Sequence, residues 1–189
     1  MSAGVEERAD DAELAALFRR DPESFTAVYD RYHRDVYLYV SGRLDVQAGE
    51  DAAAETFLVA FGLRDRFDPE RGGLRPWLFG IATNIVARHR RREARHYKAL
   101  ARGRAETADG PEGRVVATVA AQHMRPRVAQ ALLGLNQGER DVLLLVALGQ
   151  LTHEEVAQAL GVSYGTVGSR LSRARKKLNK TLNREDLHG

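Results

Sequence analysis

Between Thr152 and Leu178 the chain concentrates groups that bind phosphates and bases. Arg170, Arg173, Arg175, Lys176 and Lys177 lie close together with no acid among them. Such groups act only if an element aims them, and the preceding residues provide one. Thr152, with Glu155 three residues on, spells a capping box. Val156, Ala157 and Leu160 make an apolar stripe, Gly161 suits a tight turn, and Ser163 can cap a second helix. Val167, Leu171, Ala174 and Leu178 recur at helical spacing and face inward. The basic residues remain on the outside of the second helix. A helix-turn-helix of this kind places its second helix in the major groove of DNA. A solvated hairpin with a basic face would need only the stripe. Cap, turn glycine, stripe and one-signed polar face coincide here, and together they favour DNA binding.

A second basic segment runs from Arg88 to Arg95. Pro76 opens a long helix in which Trp77, Ile81 and Ile85 recur four apart as the buried side. The opposite side offers Thr83, Asn84, Arg88, Arg91, Arg92 and Arg95. Asn hydrogen-bonds base edges, and Arg pairs with phosphates or stacks on exposed bases. Arg near a helix C-terminus is also favourable in an ordinary solvated helix. A second DNA-binding helix in the same chain weights the reading toward nucleic acid. A third signal is acidic. Glu50, Asp51 and Glu55 open an Ala-rich helix to which Phe57, Leu58 and Phe61 add the apolar part. Acids at a helix start are stabilising by themselves; as a function they make a docking face for a basic partner.

Catalytic spellings fail. His33-Arg34-Asp35 has the letters of a kinase catalytic loop, but the required Asn is replaced by Val40 and no glycine-rich phosphate loop exists. His153-Glu154 begins like a zinc-protease helix, yet the second His position holds Ala157. The His residues are scattered and Cys is absent, so neither a metal site, a cofactor nor a disulfide is expected. The expectation is a protein that is not an enzyme.

The elements that must position these groups are helical throughout. In 189 residues, 43% are hydrophobic and 29% charged, enough for real cores in an ordinary soluble chain. Net charge is only +3, so the local basic patches matter more than the total. The start lacks the basic and apolar regions of a signal peptide, and the run Val142 to Leu148 is too short to span a bilayer, which points to the cytoplasm. Asp21-Pro22 starts a helix lined by Phe25, Val28, Tyr29, Tyr32, Val36 and Tyr39. Arg64 to Gly73 reads as a loop, with Asp68-Pro69 and Gly72-Gly73 as turn chemistry. From about Arg102 to Gly113 large apolar residues stop and Gly, Pro and acids mix, as in a linker. Asn136 with Glu139 reads as a further cap. The expected fold is all-α: two small helical domains joined by a flexible linker, over 10–98, 99–123 and 124–182, the second domain carrying the helix-turn-helix.

Together these pieces resemble the extracytoplasmic-function (ECF) group of bacterial RNA polymerase sigma factors. The likeness runs from about Phe25 to Leu178. It rests on Asp51-x-x-x-Glu55-x-Phe57, on Phe67-Asp68-Pro69-x-Arg71-Gly72 leading to Arg75-Pro76-Trp77-Leu78-x-x-Ile81-Ala82-x-Asn84, and on Glu155 to Arg175. The resemblance implies a core-polymerase-binding face at Glu50, Asp51, Glu55 and Phe57. It implies contact with the −10 promoter element through Phe67, Asp68, Arg71, Asn84, Arg88, Arg91 and Arg92, the Phe67–Gly73 loop helping to hold a flipped base. It implies contact with the −35 element through Tyr164, Gly165, Thr166, Ser169, Arg170, Ser172, Arg173 and Lys176. Partners would be core RNA polymerase, promoter DNA and an anti-sigma factor, with the linker threading toward the polymerase active centre. Two positions depart from the group: Ala54 stands where Gln is usual, and Gly168 where Lys or Arg is common. The glycine costs about 1 kcal/mol of helix propensity and shifts −35 readout to Ser169, Ser172 and Arg173. Arg173 is expected near base edges, and Lys176 and Lys177 near phosphate. A transcription regulator with a similar helix-turn-helix is the competing reading, but it would need a sensing domain upstream. A pure interaction adaptor explains neither basic helix.

Overall fold

The computed structural model describes residues 3–102 and 126–186, and among them every regular element is helical. The order is α1 (Ala3–Arg20), α2 (Phe25–Ser41), α3 (Val46–Gly62), α4 (Leu74–Arg102), α5 (Pro126–Leu133), α6 (Gln137–Ala147), α7 (His153–Leu160) and α8 (Tyr164–Asp186), with short 3-10 turns at Pro22–Ser24, Arg64–Arg66 and Pro69–Arg71. The two helical units that this order makes, α1–α4 and α5–α8, agree with the all-α expectation. The linker expected over 99–123 lies outside the described residues from 103 on. Its first residues belong to α4, which continues through Arg102.

Local chemistry sets most boundaries. Asp21 and Asp68 accept from the backbone N–H two residues on (2.9 and 3.1 Å) and open the turns at Pro22 and Pro69. Asn136 and Thr152 each form a complete capping box, with Glu139 and Glu155 reaching back to the cap N–H. Gly161 ends α7 at φ +63°, a left-handed turn that a β-carbon would strain. Two starts differ from the sequence reading. α3 begins at Val46, capped by Asp45, whose carboxylate accepts from Ala48 N at 2.8 Å. Glu50 and Asp51 therefore stand in the second turn, where the helix dipole accounts for less of their presence. α4 begins at Leu74, with Pro76 inside its first turn, where the missing N–H is harmless.

The first unit packs α2, α3 and α4 around Val28, Val36, Leu74, Leu78, Phe79 and Ala82, and α1 closes one end. There Phe18 meets Phe67 (ring centroids 6.1 Å apart) and Trp77 (5.9 Å), while Phe25 meets Phe57 (6.3 Å). In the second unit Val167, Leu171 and Ala174 of α8 are buried with Val142 and Leu145 of α6 and Val156 of α7, as the helix-turn-helix pattern requires.

The two units share one hydrophobic cluster. α7 lies across α4, so close that a β-carbon on Gly80 would stand 2.7 Å from the Ala159 carbonyl oxygen. Arg75 reaches from α4 to the carbonyls of Gly149 (2.8 Å) and Gln150 (3.3 Å), and Gln150 holds an uncommon φ of +50° for a side-chain-bearing residue. Arg43, after α2, crosses to Asp141 of α6 and is 1% exposed. Its guanidinium also donates to Tyr39 Oη, Tyr39 donates to Thr83 Oγ1 (2.8 Å), and Thr83 donates to the Phe79 carbonyl (2.7 Å). Burial pushes the Tyr39 phenol upward, so it stays a neutral hydroxyl in this relay.

Candidate nucleic-acid and docking interfaces

α8 offers its outer face without obstruction. Opposite the buried stripe stand Gly165, Ser169, Ser172 and Lys176, all exposed, spaced by three and four residues. Tyr164 opens the helix 56% exposed and rests on His153 at 5.8 Å between ring centroids. Ser163 accepts from Thr166 N at 3.2 Å, as its capping position predicts, and Ser169 donates to the Thr166 carbonyl at 3.0 Å. A β-carbon on Gly165 or Gly168 would meet nothing within 4 Å. The missing side chain at Gly168 thus leaves open space.

The flank of α8 facing α6 is occupied. The Arg170 guanidinium lies over Gly138, where a β-carbon would be 3.0 Å from its Cζ. Lys177 Nζ donates to Glu139 Oε2 at 2.7 Å, and Arg173 Nε stands 3.6 Å from Glu139 Oε1. Glu139 is 2% exposed. The hydrogen bond from Lys177 holds its carboxyl below the usual range, against the opposing effect of burial. Arg173 keeps 60% of its side chain in solvent, but its guanidinium is drawn sideways toward α6.

On α4, Asn84, Arg88, Arg91, Arg92 and Arg95 are exposed along one face, as expected for a nucleic-acid contact. Thr83 is not among them: it is 5% exposed and belongs to the Tyr39 relay. Phe67 is 2% exposed inside the aromatic cluster, so it supports the loop from behind. Asp68 is half-buried and spends a carboxylate oxygen on its own turn; Arg71 is exposed. The loop faces α7 across a cleft of about 480 Å³, with Arg66, Arg71 and Trp77 on one wall and Gln158 and Val162 on the other.

The acidic helix divides by side. Glu50, Asp51 and Ala54 are exposed, and Leu58 continues their line at 73% exposure. Phe57 turns the other way, is 2% exposed and meets Phe25 and Tyr29, so it is a core residue with no surface to offer a partner. Glu55 pairs with Arg88 and with His89 (3.5 Å), joining a residue expected at the polymerase to one expected at the −10 element. The sequence reading counted Leu58 in the apolar part of this helix and missed its place on the exposed acidic line. Its signal was its place four residues after Ala54 and seven after Asp51, on the same helical face.

The family model for sigma-70 region 2 matches residues 28–96, and that for sigma-70 region 4 matches residues 125–178. The chain is similar to the RNA polymerase sigma factor CnrH of Cupriavidus metallidurans, 36% identical over 143 residues, 70% of this chain and 72% of that protein. It is 32% identical over 158 residues to the ECF RNA polymerase sigma factor SigC of Mycobacterium tuberculosis, covering 82% of each. The solved structure of CnrH in complex with the cytosolic domain of CnrY superposes with a TM-score of 0.65 at 28% identity, over 92% of this chain and 97% of that one. The fold is shared also by the sigma factor RpoE in complex with the anti-sigma factor NepR from Bartonella quintana, with a TM-score of 0.63 at 23% identity, over 85% and 98% of the respective chains.

Proposed function

This chain belongs to the ECF group of RNA polymerase sigma factors, and we propose that its two exposed basic faces divide promoter recognition between them. The face of Asn84, Arg88, Arg91 and Arg92 on α4, with Asp68 and Arg71 of the adjoining loop, takes the −10 element and helps open it. The outer face of α8, with Tyr164, Gly165, Thr166, Ser169, Ser172 and Lys176, takes the −35 element, with Arg170 and Arg173 along its edge. Core polymerase docks on the exposed line Glu50, Asp51, Ala54 and Leu58, with Glu55 at its margin. An apolar side chain beside two carboxylates suits a partner that is basic at its rim and apolar at its centre. The first unit runs from residue 10 to the end of α4 at Arg102 and the second over 124–182, in keeping with the two family matches. The protein acts in the cytoplasm without catalytic chemistry of its own. Among the described residues no helix is long and apolar enough to cross a membrane. An anti-sigma factor, as NepR is for RpoE, is a further partner in this reading.

The observation that carries this reading is the pairing, in one chain, of a recognition helix whose outer face is exposed with a second exposed Asn–Arg face. The two elements lie roughly 25 base pairs apart, about 85 Å at 3.4 Å per pair, so both can be engaged only when the units separate. The chain between α4 and α5, fully extended, reaches about 80 Å. The test is reconstitution with core polymerase and selection from a library randomised at both elements, read by run-off transcription. Enrichment of a two-part motif at that spacing is expected. Co-elution with core but no enriched motif would overturn promoter recognition, and failure to co-elute would overturn the docking face.

A further inference from the structure

Three basic side chains on one flank of α8 converge on the first turn of α6: Arg170 over Gly138, Arg173 and Lys177 on Glu139. The start of a helix carries positive partial charge and repels cations. Cations gather there only because Glu139 supplies a carboxylate, and that carboxylate is almost fully buried. Its two oxygens divide the contacts: Oε2 accepts from Asn136 N (3.1 Å) and Lys177 Nζ, and Oε1 forms an ion pair with Arg173 Nε at 3.6 Å. We propose that Glu139 is a specificity-determining positioning residue, holding Arg173 and Lys177 on the α6 flank of the recognition helix and so withholding Arg173 from base edges.

This inference rests on α8 being the −35-reading helix. The held cations then face the phosphates of one strand. Base edges are left to Ser169, Ser172 and Lys176 on the outer face, beside the open space at Gly165 and Gly168. Ser169 has donated its proton to the Thr166 carbonyl, so it presents acceptor lone pairs outward. A base that offers a donor, adenine N6 or cytosine N4, suits it.

The decisive variant is Glu139→Gln. Gln serves a capping box as Glu does, so the α6 start survives while the charge that holds Arg173 is gone. Released, Arg173 can swing to a guanine edge. In selection from a randomised −35 library by holoenzyme, preference at one or two positions should shift by about fivefold or more, the low end for a single base contact. The double variant Glu139→Gln with Arg173→Ala should return the selected sequence to that of the wild type. Arg173→Ala alone, at an exposed side chain that threatens no fold, should weaken binding on all sequences alike and leave the motif in place. A role in stability alone would lower affinity without moving the motif, so an unchanged motif in folded Glu139→Gln holoenzyme overturns the inference. A changed motif in Arg173→Ala overturns it too, and does so even if Glu139→Gln fails to fold. Absence of any −35 motif in the wild type would instead defeat the underlying assignment of α8.

Discussion

Glu139 and Asp141 stand two residues apart on α6 and face different parts of the molecule. Glu139 turns to α8 and binds Lys177 and Arg173 within its own unit. Asp141 turns to the first unit and binds Arg43, with Gln137 Nε2 as a local second partner at 3.0 Å. Both carboxylates are buried, at 2% and 7% exposure. Their consequences differ because their partners do. The Glu139 contact survives any movement of one unit against the other, since everything it touches moves with it. The Asp141–Arg43 contact exists only while the units are packed. One carboxylate shapes the recognition surface, and its neighbour reports whether the two surfaces are held together.

The largest expected effect comes from Asp141→Ala. Removing one member of a buried pair while keeping the other costs about 3–5 kcal/mol, and Arg43 would remain buried beside Arg90 with its carboxylate partner gone. The molecule has an escape that most proteins lack: if the units part, Arg43 reaches water. The variant should therefore open before it unfolds. The chain has no cysteine, so a dye pair placed at Leu58→Cys on α3 and Ala147→Cys on α6 reads the separation directly. Transfer efficiency equal to that of the wild type would remove Asp141 from the role of a tie between the units.

Gly80→Leu attacks the same interface from its apolar side. The new side chain would collide with the Ala159 carbonyl, a backbone atom that cannot turn aside. Overpacking of this kind costs about 1–3 kcal/mol, while leucine in place of glycine favours the helix by nearly 1 kcal/mol. The two effects land on different equilibria. The dye pair should report opening, and α4 itself should melt no earlier than in the wild type. Opening together with early loss of α4 would mean that α4 depends on the second unit to fold.

The opposite member of the comparison is tested by Lys177→Met. Lys177 is 46% exposed, so solvent screening reduces the loss to about 1 kcal/mol. Because the pair lies within one unit, the dye distance should not change. The pH dependence follows from the depressed Glu139 carboxyl. A carboxyl lowered on folding stabilises above its ordinary value, 4.5 here, and that stabilisation is lost as pH falls through the lower folded value. The stability gap between wild type and variant should thus be full at pH 7 and shrink below 4.5. A gap that stays constant down to pH 3 would show that Lys177 acts by packing alone.

The sequence disclosed what depends on near neighbours. Caps at Asn136 and Thr152, the turn at Gly161 and the inward stripe of α8 each rest on residues within a turn or two, and all appear as read. Contacts that join distant residues were hidden: Arg43 and Asp141 are 98 positions apart, Glu139 and Lys177 are 38 apart. Nothing in local spacing distinguishes Asp141, which ties the units, from an ordinary helix-surface acid. Phe57 and Phe67 were read as site residues because they stand inside the motifs that carry the family resemblance. What buries them is an aromatic cluster completed by Phe18 of α1, a helix for which the acidic start of the chain gave no signal. Glu139 was legible as a cap and illegible as the partner of the recognition helix, since a capping box uses the same residue type for a purely local reason.

The smallest expected effect concerns the residue beside the interdomain pair. Arg90 of α4 donates from Nη2 to the Arg43 carbonyl at 3.3 Å, while its Nε and Nη1 are buried with no hydrogen-bond partner. Burial first, then repulsion from Arg43 and Arg140, draws its guanidinium down to about 9. Such a group opposes the packed state, where Asp141 supports it. Replacing an unsatisfied buried cation by an apolar side chain of similar length is neutral or favourable. Arg90→Met should therefore keep the units closed, with an unfolding free energy equal to or up to about 1 kcal/mol above that of the wild type. The sign of the pH effect is also opposite to that of Glu139. A base whose value falls on folding binds fewer protons when folded, so wild-type stability rises with pH as it approaches and passes 9. The variant lacks that rise, and its advantage should diminish above pH 9. A clear loss of stability in Arg90→Met at pH 7, or opening of the dye pair, would show that Arg90 supports the interface, and the contrast with Asp141 would then have to be redrawn around a paired basic cluster.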